Sequence, residues 1–190
     1  MDFKLTDEQE LLIESAHEYA TRYFTDEAVK QAYEVDHHIS IEAAMAYREA
    51  GFMLLGLPEE VGGVPVDKLT EVLLVEKLHE YTGVTLPFVT DFNTITDVID
   101  FGTKEQQEMI MDAIENVEST CIACSAISEP AAGSDNNAMT CVTKKQPDGT
   151  YLLNGQKTWV TQGEIFPNVL VIAKDEDPSR QNRNMSMWII

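Results

Sequence analysis

Two short segments hold most of the side chains able to act on a bound molecule. They are Ala126-Ile127-Ser128-Glu129-Pro130-Ala131-Ala132-Gly133-Ser134-Asp135 and Lys157-Thr158-Trp159-Val160-Thr161-Gln162-Gly163. Ser128 and Thr161, with Ser125 just upstream, bring hydroxyl donors of the kind that stabilise negative charge developing on a bound group. Gly133-Ser134 forms a turn where the backbone can come close to a pyrophosphate, with the Ser134 hydroxyl beside it. Trp159 adds a flat aromatic surface. Each residue also has a plainer reading: Gly-Ser-Asp is commonly only a turn, a lone Trp is usually core, and Thr suits a strand. The ordered set, rather than any member, points to a ligand. Glu129 has the chemistry of a general base, but it precedes Pro130 inside the turn and is expected to hold that turn. Cys121 and Cys124 have C-x-x-C spacing without a second pair. Neither they nor His17, His37, His38 and His79 match a metal-ligand spacing, so no metal site is expected.

The elements that position these segments differ along the chain. Residues 1–118 read as helices. Thr6 and Gln9 make a capping box before a helix over 7–24 whose Leu12, Ala16, Tyr19, Ala20 and Tyr23 recur at helical spacing. Ser40 caps a helix that stops at Gly51, and the turn-rich 57–63 follows. A helix over 67–81 is expected to use Leu69, Val72 and Leu73 on its apolar face, and another covers 88–101. A second capping box, Thr103 and Gln106, opens a stripe of Met109, Ile110, Ala113, Ile114 and Val117. Beyond 118 the apolar runs shorten to strands over 120–127, 138–145, 150–153, 157–161, 169–173 and 185–190. Pro147-Asp148-Gly149 and Asn154-Gly155 are hairpin signals, and 175–184 is a polar loop. The expected class is therefore α+β: an all-α helical domain at 1–118, then an antiparallel β domain at 119–190. The second domain is expected to be incomplete, because the last strand ends on apolar residues with no return turn.

Taken together, the two segments resemble the flavin-binding signatures of the acyl-CoA dehydrogenases, T-E-P-x-x-G-S-D and W-I-T-N-G, in the same order and at a similar separation. The L-P-E-E-x-G-G turn at 57–63, the F-G-T-x-E-Q helix start at 101–106 and the Y-x-L-N-G-x-K hairpin at 151–157 extend the likeness over essentially the whole chain. Within the family it is similar to bacterial crotonobetainyl-CoA reductase-like members. Ser128 replaces the commoner Thr and keeps the hydroxyl; Gln162 replaces the usual Asn after Thr161. The resemblance implies FAD as cofactor, contacted by Ser125, Ile127, Ser128, Gly133, Ser134, Trp159, Val160 and Thr161, with Ser134 also near a bound acyl-CoA substrate. A flavin accepting hydride at N5 gathers negative charge around N1, which hydroxyl and backbone donors would meet. In the family the base that removes the Cα proton comes from a carboxy-terminal helical domain, so no catalytic residue is assigned here and the chain alone is expected to be inactive. An electron-transferring flavoprotein partner and a homo-oligomer are also implied. The rival readings are a non-catalytic structural or regulatory partner of a full-length subunit, and an acyl-CoA oxidase or flavin monooxygenase of the same fold.

Composition sets the outer limits. At 190 residues with 44% hydrophobic and 24% charged content, the chain can bury a core without disulfides or metal. A net charge of −20 argues against nucleic acid and anionic membrane surfaces as partners. No run approaches the roughly 18 apolar residues of a membrane span. The start is neither a signal nor a transit pattern, and the odd count of three cysteines fits a reducing compartment, so a cytoplasmic protein is expected.

Overall fold

A computed structural model describes residues 4–116, 118–165, 168–176 and 184–190. The chain divides into two compact units, Met1–Ile122 and Ala123–Ile190.

The first unit is helical. Helix α1, Asp7–Tyr23, opens on the Thr6 capping box, with Gln9 N–H donating to Thr6 Oγ1 at 3.2 Å and Thr6 N–H to Gln9 Oε1 at 3.1 Å. Its buried residues are Gln9, Ala16, Tyr19 and Ala20, so the expected apolar stripe is the packed one. Helix α2, Asp26–Gln31, was not visible in the hydrophobic spacing, because none of its residues is buried; it runs into a π-turn, Ala32–Asp36. Helix α3 spans Ile41–Glu49 behind the Ser40 cap. Helix α4 spans Lys68–Thr82 behind Asp67, and α5 spans Phe88–Phe101. Helix α6, Lys104–Asn116, keeps the second capping box, with Thr103 N–H donating to Gln106 Oε1 at 2.8 Å. Val117, the last residue of its expected stripe, lies outside the described residues.

One helical face differs from expectation. Leu69 and Val72 are exposed, while Thr70, Leu74, Leu78 and Thr82 are buried. The polar Thr70 can turn inward because its hydroxyl accepts from Gln9 Nε2 at 2.9 Å, which ties α4 to α1. One part of the core is aromatic. Tyr47 stacks on Phe88 with centroids 3.9 Å apart and meets Phe52 edge-on at 5.3 Å, while Tyr19 packs against Tyr47 at 5.9 Å. Asp91 is fully buried; it accepts from the Cys121 thiol and, at 2.9 Å, from Ile122 N–H. That bonding, rather than a strand, holds the segment before residue 124.

Among the described residues the second unit is a five-stranded sheet: β1 Cys124–Ala126, β2 Val142–Lys145, β3 Tyr151–Asn154, β4 Val169–Asp175 and β5 Met185–Ile189. The α+β class holds, but the sheet is mixed rather than antiparallel. β4 pairs antiparallel with β5 along one edge; along the other it takes β1 and then β2, both parallel. Parallel pairs need long connections, and local hairpin signals cannot announce them. The β2–β3 hairpin is antiparallel as expected, turning through Gly149 at φ +89°. Asn154-Gly155 is not a hairpin turn: a Cβ at Gly155 would sit 2.6 Å from Cys141 Cα, so the glycine serves close backbone approach. The expected strand at 157–161 is also absent, and its reason belongs to the site. The polar loop expected over 175–184 lies mostly outside the described residues.

Candidate functional site

One buried cluster of the second unit is Ala126, Cys141, Val171 and Ala173, with Leu153, Val160, Val169 and Trp188 packed on it. Ala132 and Met139 are buried as well, near the irregular segments around 127–135 and 157–161. An ion pair fixes those two segments to each other. Lys157 Nζ lies 2.9 Å from Glu129 Oε1, with side-chain exposures of 9% and 1%. The ammonium also donates to Ile127 C=O at 2.8 Å and to Met139 Sδ at 3.7 Å.

Glu129 is saturated in the same way. Oε2 accepts from Thr140 N–H at 2.6 Å and Thr140 Oγ1 at 2.8 Å, and Oε1 accepts from Cys141 N–H at 3.0 Å as well as from Lys157. Burial is the largest influence on this carboxyl and raises its pKa. The bond to Lys157, with those to Thr140 and Cys141, outweighs it and pulls the pKa down to about 2. Burial pushes the neighbouring Cys141 thiol up.

The backbone completes the junction. Thr158 N–H donates to Ser128 C=O at 2.8 Å, and Glu129 and Ala132 exchange N–H···O bonds of 2.8 and 3.1 Å across the Pro130 turn. With Lys157 on Ile127 and Thr158 on Ser128, the second segment is fixed to the first instead of joining the sheet. Trp159 at φ +58° and Gln162 at φ +54° then turn the chain out of any extended path, which is why no strand forms.

The two segments picked out in the sequence are thus joined at residues 127–129 and 157–158. Ser125 sits half-buried in β1 and Ser128 half-buried after it; Ile127, Gly133, Ser134 and Thr161 are exposed. Trp159 is 92% exposed, which removes the reading of it as a core residue. A non-glycine side chain held at positive φ and turned to solvent is costly for folding alone. Val160 packs inward on the core. The hydroxyls of Ser125, Ser128, Ser134 and Thr161 make no hydrogen bond among the described residues, and Thr158 Oγ1 is buried without a partner. A Cβ at Gly133 would meet nothing within 4 Å, so the chain's own packing does not require glycine there.

Lys157, Thr140 and Cys141 were not singled out from sequence. The available signal was a carboxylate in one segment and a lysine in the other. Among the described residues no group of three or more His, Cys, Asp or Glu could hold a metal ion, and no helix is long and apolar enough to cross a membrane.

The family model described as "Acyl-CoA dehydrogenase, N-terminal domain" matches residues 6–118, and "Acyl-CoA dehydrogenase, middle domain" matches 124–190. The probable acyl-CoA dehydrogenase YdiO of Escherichia coli K12 is 33% identical over 99% of the chain and 48% of its own length. The short-chain-specific acyl-CoA dehydrogenase of Megasphaera elsdenii is 30% identical over all of the chain and 50% of its own. A chain from the structure described as "Electron transferring flavoprotein of Acidaminococcus fermentans: Towards a mechanism of flavin-based electron bifurcation" superposes with a TM-score of 0.82 at 28% identity, covering 100% of this chain and 49% of that one. The chain therefore spans about half the length of the curated relatives it matches. With both family domains matched in order along the chain, this protein belongs to the acyl-CoA dehydrogenase family.

Proposed function

We propose that the chain forms the flavin-contacting wall of an acyl-CoA dehydrogenase site, with 1–118 as its helical domain and 119–190 as its β domain. The observation that carries this reading is the exposed set beside the ion pair: Trp159 turned to solvent at positive φ, next to the partnerless hydroxyls of Ser128 and Thr161. These features fit FAD. The indole offers a face to a planar ring, the Ser128 and Thr161 hydroxyls are free to donate to ring heteroatoms, and the open Gly133-Ser134 turn admits a pyrophosphate. Ser125, Ile127 and the Val160 backbone complete the wall, and Ser134 also meets the acyl-CoA.

FAD, when bound, supplies the acceptor for hydride leaving Cβ of the acyl-CoA. The chain's own residues bind and orient; they do not remove the Cα proton. A base must be free to take a proton within hydrogen-bond reach. Glu129 has its two oxygens occupied by four donors, is 1% exposed and has its pKa drawn to about 2, so it is both inaccessible and a weak base. The reading therefore assigns no catalytic residue within the chain. An electron-transferring flavoprotein as electron acceptor, a homo-oligomeric assembly and a cytoplasmic location belong to the same proposal.

The test is acyl-CoA-dependent dye reduction by the purified chain with added FAD. No turnover is expected. Stoichiometric yellow flavin together with turnover would mean that a base such as Glu164 had been passed over.

A further inference from the structure

We infer that Lys157 is a positioning residue for the proposed flavin wall: its ammonium sets the geometry of the two signature segments and takes no part in binding a ligand. The inference rests on the flavin-wall reading for its functional meaning, but its geometry stands without it.

An ammonium has three N–H donors. Lys157 directs all three inward, to Ile127 C=O at 2.8 Å, Glu129 Oε1 at 2.9 Å and Met139 Sδ at 3.7 Å. No donor is left for a phosphate or a thioester. One side chain thereby joins the end of β1, the Pro130 turn and the approach to β2. The next residue continues the junction through its backbone, since Thr158 N–H reaches Ser128 C=O. Beyond this anchor the chain turns outward at Trp159.

A buried ion pair is a poor means of gaining stability, because desolvation offsets most of the attraction, and apolar pairs of similar volume often do as well. What charge and directed donors supply better is a single arrangement. Here that arrangement is needed by two irregular segments that lie outside the strands and are joined to each other through Lys157, Glu129 and the Thr158 backbone. A slip of Lys157 would move Ile127 and Ser128 on one side and Trp159 on the other.

The experiment is residue-resolved amide hydrogen exchange on the 190-residue chain, compared with Lys157→Met. The double variant Lys157→Met/Glu129→Gln serves as well, since it leaves no buried charge unpaired if the single variant does not fold. The reporters are the amides of Glu129, Ala132 and Thr158, and the reference amides, bonded at the ends of the sheet strands, are Cys124, Val169 and Ile190. The expected result is exchange roughly tenfold or more faster at the reporters with the reference amides unchanged, a local opening well below global unfolding. A core variant, Val171→Ala, should instead accelerate both sets together. Unchanged reporters, or reporters and references accelerating together in the lysine variants, would overturn the inference and leave Lys157 as ordinary packing. Because exchange is read without flavin, failure of this inference and failure of the flavin-wall reading are separate outcomes.

Discussion

The helical unit and the β unit are held together by different means. In the first, aromatic rings from three helices and a short turn meet in one cluster around Tyr47, with Phe52 and Phe88 almost completely buried. In the second, the irregular segments that carry the candidate site are fixed to each other by a lysine, a glutamate and the backbone. Apolar packing tolerates small adjustments in many directions. Directed polar bonds fix one arrangement and fail together. The region proposed to meet a ligand is therefore built from the less adaptable kind of contact.

That contrast can be broken by substitution. Glu129→Ala strips four partners from a buried site and leaves the Lys157 ammonium unpaired, with an expected cost of about 3–5 kcal/mol. Phe52→Ala should cost a similar ~3–5 kcal/mol through the cavity it leaves. Denaturant unfolding measures both, and pH separates them. A carboxyl whose folded pKa is about 2 against an ordinary 4.5 stabilises the fold fully above pH 4.5, and that stabilisation is lost as pH falls towards 2. The Glu129→Ala deficit should accordingly shrink on acidification, while the Phe52→Ala deficit should not. A Glu129→Ala cost independent of pH across that window would show that the carboxylate's charge is not what matters. A smaller effect, about 1 kcal/mol, is expected for Thr6→Ala, which removes the side-chain half of the α1 capping box. Smallest of all, Trp159→Ala should change stability by less than about 0.5 kcal/mol, because its side chain is 92% exposed. A larger loss would return Trp159 to a structural role.

Legibility in the sequence followed the same division. Helices α1, α4 and α6 open on capping side chains and α5 after Pro87, and with their repeating apolar positions they can be read almost residue by residue. The error on α4 arose because Thr70 is buried through a hydrogen bond to Gln9, sixty-one positions away, which hydrophobicity does not record. In the β unit the β2–β3 hairpin was legible from Pro147-Asp148-Gly149, whereas the parallel pairings of β4 were not, since no local signal encodes a long-range register. The residues at 157–161 are strand-prone in type, yet Lys157 and Thr158 are bonded to Ile127 and Ser128, and Trp159 turns the chain away. The signature residues could be listed from their spacing. The pair that joins them could be seen only once the two segments were placed side by side.

The face around Ser128, Trp159 and Thr161 is proposed to meet flavin. Amide shift mapping of the isotope-labelled chain during titration with FAD tests it directly, even where binding is weak. Shifts are expected to concentrate at 125–134 and 158–162 and to diminish in Trp159→Ala and in Thr161→Val, both of which should leave the sheet amides in place. Shifts confined to other residues, or none at FAD concentrations in the millimolar range, would contradict it.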